Sequence, residues 1–166
     1  EKAESSYQTA IETDPEFLSA HLELGVMLTS EGKERGVPYL QNSLNIDDSC
    51  TAAMLQLGKF YQDQDNLDES VYYYNQLINL EPQNSSALYN LATVWFGVDS
   101  LEKAYRLFDI TTKVEPSKST AYYGKGLCSM KLGENEKAIV HFQEAINLNS
   151  ELEGARILLD SLSELR

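Results

Sequence analysis

Proline and glycine are scarce, four and nine in 166 residues, so few points force the chain to break or turn. Only two cysteines occur, Cys50 and Cys128, which excludes a disulfide framework and gives no metal-ligand spacing. They are expected as ordinary free thiols in a reducing compartment, and the expected location is cytoplasmic. Positive charge is also short. Thirteen Lys and Arg stand against 26 Asp and Glu, a net charge of −13. That excludes nucleic acid and anionic membrane surfaces as partners, because both need a basic face. No apolar run approaches the roughly 20 residues of a membrane span, so membrane insertion is not expected. The chain opens on Glu1, not methionine, and is expected to be a piece of something longer. What it does have is 42% hydrophobic and 10% aromatic residues, enough for a packed core and too much for a disordered acidic tail.

Small residues recur at a fixed interval. Ala20, Ala53, Ala87, Ala121 and Ala155 are 33, 34, 34 and 34 apart. Five residues after the first four come Gly25, Gly58, Ala92 and Gly126. A second series, Ala3, Gly36, Ser70, Ala104 and Ala138, is followed four residues later by Tyr7, Leu40, Tyr74, Phe108 and Phe142. Pro15, Pro82 and Pro116 end units, with Asp48 and Ser150 at the same point elsewhere.

Each unit reads as two amphipathic helices. Leu24 and Leu28, Leu57 and Tyr61, and Leu91 and Trp95 stand four apart on one face of the first helix. Breakers separate the two helices at Ser30-Glu31-Gly32, Asp63-Gln64-Asp65-Asn66, Gly97-Val98-Asp99-Ser100 and Gly133-Glu134-Asn135. Glu81-Pro82-Gln83-Asn84-Ser85 stops one helix and caps the next with a side-chain oxygen. One such pair cannot bury its own apolar face, but stacked pairs can. The register predicts the second helix of a truncated repeat at 1–17. Repeats follow at 18–50, 51–84, 85–118 and 119–152, then a capping or truncated helix at 153–166. That makes ten helices in one domain.

This 34-residue helix–turn–helix pattern resembles the tetratricopeptide repeat. It is best developed in Ala121-Tyr122-Tyr123-Gly124-Lys125-Gly126, through Leu132-Gly133-Glu134-Asn135-Glu136-Lys137-Ala138-Ile139, to Phe142, Ala145 and Leu148. Two departures stand out. Pro38 falls near the first turn of a second helix, where a missing N–H is tolerated. Lys125 replaces the leucine found at Leu24, Leu57, Leu91 and Leu159, and its ammonium is expected to reach water beyond a packed stem. The resemblance implies an all-α, right-handed superhelical solenoid of antiparallel helix pairs, acting as a binding scaffold and not as an enzyme.

The family's groove lies along the first helices. Carried over by position, it places Leu22 and Val26 in the first full unit, and Leu55, Gln56, Lys59 and Gln62 in the second. Tyr89, Asn90, Thr93 and Phe96 follow in the third, then Tyr123, Leu127 and Met130 in the fourth. The aromatics would hold apolar anchors, and Gln56 and Asn90 would pair with a peptide backbone. A second reading makes Leu22, Leu55 and Leu127 packing residues between repeats. Repeats that clamp the C-terminal carboxylates of heat-shock chaperones set Lys, Asn, Asn, Lys and Arg on this surface. Only Asn90 matches, so that clamp is not expected.

Residues 1–100 hold 4 basic and 16 acidic side chains, net −12, against 9 and 10 in residues 101–166. The acidic half reads as a solvated face, or as a lure for a basic partner segment. Catalytic candidates are thin. His21 and His141, the only histidines, lack a nucleophile or carboxylate at telling spacing. Asp63, Asp65 and Asp68 mimic a calcium loop but lack its central glycine. No cofactor and no metal is expected. Tyr72-Tyr73-Tyr74 reads as a packing stripe with one exposed ring. The expected function is protein–protein interaction, with a protein or peptide partner held in the groove. The alternative is self-association, or a spacer segment of a larger multidomain protein.

Overall fold

The computed structural model describes residues 2–164, so Glu1, Leu165 and Arg166 of the expected terminal helices lie outside the described residues. Among the described residues there are ten α-helices and no strand. The helices fall into two compact units, residues 1–82 and 83–166.

The first unit contains α1 (Lys2–Thr13), α2 (Leu18–Ser30), α3 (Val37–Ile46), α4 (Thr51–Asp63) and α5 (Leu67–Leu80). The second contains α6 (Ser85–Gly97), α7 (Leu101–Val114), α8 (Ser119–Lys131), α9 (Asn135–Leu148) and α10 (Glu153–Glu164). Within each unit, connections of three or four residues leave successive helices no option but antiparallel packing. The exception is α2 to α3, where the repeat is one residue short and a 3₁₀ turn, Glu34–Gly36, carries the chain across. Pro38 stands in the first turn of α3, where it removes no helical hydrogen bond.

The two series of small and bulky residues meet each other. A Cβ on Gly25 would come within 2.7 Å of the Leu40 side chain, and one on Gly58 within 2.6 Å of the Tyr74 ring. Gly126 stands the same way against Phe142, and buried Ala92 packs in one cluster with Phe108. The second helix thus presses its largest side chain onto the smallest residue of the first. In the first unit one core cluster is Val37, Leu40, Cys50, Ala53, Leu57 and Phe60. The second unit has two clusters, one around Phe108 between α6, α7 and α8, the other around Phe142 between α8, α9 and α10.

The turns inside the pairs repeat one device. Gly32 (φ 72°), Asp65 (φ 58°), Asp99 (φ 58°) and Gly133 (φ 78°) occupy the left-handed region just after the first helix. The next N–H then reaches back five residues: Lys33 to Leu28 O, Asn66 to Tyr61 O, Ser100 to Trp95 O and Glu134 to Ser129 O, at 2.8–2.9 Å. This closes the helix by satisfying a carbonyl that would otherwise be orphaned. Between units of the pattern, Asn84 Oδ1 accepts from Ala87 N at 3.0 Å, the side-chain cap that the sequence indicates.

Candidate functional site

The expected groove residues lie on the first helices α2, α4, α6 and α8. Leu55, Lys59 and Gln62 are spaced by four and three residues, as are Tyr89, Thr93 and Phe96, and Tyr123, Leu127 and Met130. That spacing sets each trio along one helix face. Of the thirteen, Lys59 is exposed and the other twelve are half-buried.

In the first unit α2 packs on α4, so their stripes lie side by side. Leu22 and Val26 rest on the core that holds Leu40, Leu57 and Phe60. Gln56 crosses from α4 to α2: its Nε2 donates to Thr29 Oγ1 at 2.9 Å and to Ser30 Oγ at 3.2 Å. Gln62 Oε1 accepts from the Tyr74 hydroxyl at 2.9 Å. Both amides therefore serve to join helices of their own unit.

In the second unit the stripe is aromatic. The Tyr89 ring lies 5.6 Å from Phe108 and the Tyr123 ring 5.8 Å from Phe142, both tilted. Tyr89 and Phe96 pack against the Phe108 cluster. Tyr123, Leu127 and Met130 pack against the Phe142 cluster. The Tyr123 hydroxyl end stands against α10, where a Cβ on Gly154 would come within 2.9 Å of it. Asn90 and Thr93 are half-buried neighbours, with Thr93 Oγ1 donating to Asn90 O at 2.7 Å. Two cations flank the rings. Lys118 Nζ lies 5.7 Å from the Tyr89 centroid, and Lys131 Nζ lies 4.9 Å from that of Phe96 while bonding Asp99 Oδ1 at 2.9 Å. Lys118 escapes the sequence reading because it stands in the turn before α8, off the helical register.

The remaining chemistry is internal. His21 is buried, with Nε2 2.9 Å from Pro15 O. His141 Nε2 lies 3.1 Å from the Tyr105 hydroxyl. Burial and then the charge of Lys125 hold the His141 imidazole below its ordinary value, which favours the neutral ring. Burial pushes the Cys128 thiol up to about 11, which keeps it protonated and unreactive. Lys125 corrects one expectation. Its ammonium does not reach water: the residue is 8% exposed, and Nζ bonds Asp109 Oδ1 at 2.6 Å. Lys113 Nζ holds the other oxygen of Asp109 at 2.7 Å. Among the described residues no group of His, Cys, Asp and Glu is placed to bind a metal ion, and no helix is long and apolar enough to cross a membrane.

Residues 119–152 and residues 52–84 each match a family model described as tetratricopeptide repeat. The chain carries tetratricopeptide repeats. Among curated proteins no sequence matches it. Solved structures share the repeat fold at low identity. MamA from Desulfovibrio magneticus RS-1 is 18% identical, with a TM-score of 0.81 over 87% of this chain and 82% of that one. Pseudomonas aeruginosa pilF is 20% identical, with a TM-score of 0.79 over 87% and 67%. The first repeat domain of Spaghetti (RPAP3), bound to the HSP90 peptide SRMEEVD, is 20% identical, with a TM-score of 0.66 over 69% and 94%. At these identities the likeness establishes the all-α helix-pair fold and nothing finer.

Proposed function

We propose that this tetratricopeptide-repeat chain is a non-catalytic scaffold that receives a peptide or a helix of a partner protein along the stripes of its first helices. The observation that carries this reading is the half-exposed aromatic row of the second unit. Tyr89, Phe96 and Tyr123 each pack on their own core and remain partly exposed. Rings already held by packing lose little side-chain entropy on binding, which makes them efficient anchors. Asn90 supplies a polar contact beside them, and Lys59 is the exposed cation of the first unit's own stripe. The structural neighbour solved with an HSP90 peptide supports a peptide as the class of occupant. With only Asn90 in place of the carboxylate clamp, the partner here is held by rings and amides, not by its terminal carboxylate.

The test begins with capture and identification of a partner by the intact protein. Binding of that partner by the double variant Tyr89→Ala, Asn90→Ala is then measured by calorimetry. Affinity should fall at least tenfold while the circular dichroism of the helices is retained; unchanged affinity rejects the stripe. Self-association is the second reading, favoured by apolar side chains left in solvent at Val140 and Ile157, 57% and 59% exposed. It predicts a mass in light scattering that grows with protein concentration and no added ligand.

A further inference from the structure

A second surface lies on the first unit, on a different face of α4 from the Leu55–Lys59–Gln62 stripe. Both α3 and α5 pack on α4, but among the described residues not closely on each other. The wedge between them leaves a cavity of about 450 Å³. Gln41 of α3, Tyr61 of α4 and Asp68, Glu69, Tyr72 and Tyr73 of α5 line it. A smaller cavity of about 210 Å³ shares Tyr72 and Tyr73 and extends to Asp48.

The rings form a corner. Tyr61 and Tyr73 lie parallel, with an interplanar angle of 1° and centroids 5.8 Å apart. Tyr72 meets Tyr73 edge-on at 79° and 5.1 Å, and is itself 55% exposed. Asp68 and Glu69 border this corner. Residues 1–82 contain fifteen acidic and four basic side chains. Lys33 is paired with Glu31 and Arg35 with Glu4. Lys59 precedes Tyr61 by two residues, about 200° round the helix, and so points to a different face. Asp68 and Glu69 have no ion pair among the described residues.

We infer that the wedge between α3 and α5 is a docking site for an arginine side chain carried by a basic segment of a partner protein. A guanidinium lies flat on a tyrosine face and is drawn to the ring quadrupole, while its N–H edge donates to a carboxylate. Three tyrosines beside Asp68 and Glu69 offer both contacts at once. The charge of the whole unit, net −11, draws such a segment in. The inference is independent of the first-helix stripes, and either can fail without the other.

The probe is the peptide acetyl-Gly-Arg-Gly-Arg-Gly-amide, titrated into the full chain and followed by amide shifts in NMR. Residues 41, 61 and 68–73 should move, and the Leu22–Val26 segment should not. Replacing arginine by citrulline, which keeps the shape and removes the charge, should abolish the shifts. Asp68→Asn with Glu69→Gln should weaken binding at least tenfold, and Tyr72→Ala at least threefold. Glu12→Gln with Glu16→Gln, which removes the same charge near α1, should change affinity less than twofold. Equal losses from the two neutralised pairs would reduce the effect to diffuse attraction and overturn the site. So would tight binding of the citrulline peptide, or shifts confined to the first-helix stripes.

Discussion

Lys125 sits where four other first helices carry leucine, in a helix whose neighbours on that face are all apolar or small. Its stem replaces the leucine, and its charge is met by Asp109, which Lys113 also holds from the next turn of α7. Burial raises the carboxyl of Asp109, but the bonds from Lys113 and Lys125 outweigh it and leave the group below its ordinary value of 3.8. The arrangement is worth little against an apolar alternative and much against half of itself. Lys125→Leu should therefore change stability by less than about 1 kcal/mol in urea unfolding. Asp109→Ala strands the ammonium and should cost about 2 kcal/mol, discounted because Asp109 is partly in solvent. The pair's contribution is present above the unfolded pKa of Asp109 and is lost as pH falls through the lower folded one. The sequence showed the odd lysine but not its partner. Sixteen residues and a change of helix separate the two, and no local spacing links them.

At the scale of the helix pair, legibility is higher, because the determinants are local. The 34-residue interval, the glycines facing bulky side chains and the Asn84 cap are all consequences of neighbours in sequence. The left-handed turn residue was visible only as glycine. Its aspartate equivalents, Asp65 and Asp99, look like ordinary polar loop residues until their φ of 58° is seen. Aspartate tolerates that region better than most side chains because it bonds locally. Gly133→Ala should lower stability by about 1 kcal/mol, read as a drop in thermal midpoint, since alanine has no such compensation. Nothing in the structure crowds a Cβ at Gly133, so the loss would be purely conformational. The same scale explains why the wedge between α3 and α5 is not legible in the sequence. Tyr72-Tyr73-Tyr74 announces packing, and only Tyr74 is fully buried; the room beside Tyr72 and Tyr73 depends on how two helices diverge from a third.

For the molecule as a whole, every close helix contact within either unit joins elements no more than two apart in the chain. The Phe108 and Phe142 clusters draw only on residues between 89 and 162. A fragment of residues 83–166 should accordingly fold by itself, with helical circular dichroism per residue close to that of the full chain and its own cooperative melt. A featureless melt would show that its cores need the preceding helices. Because no helix depends on a distant stretch of chain, the pattern tolerates duplication. Recombination that copies 34 residues in phase would hand the added helices the same facing partners their originals have, so a gene of this kind can lengthen its product one module at a time without rewriting the modules already there.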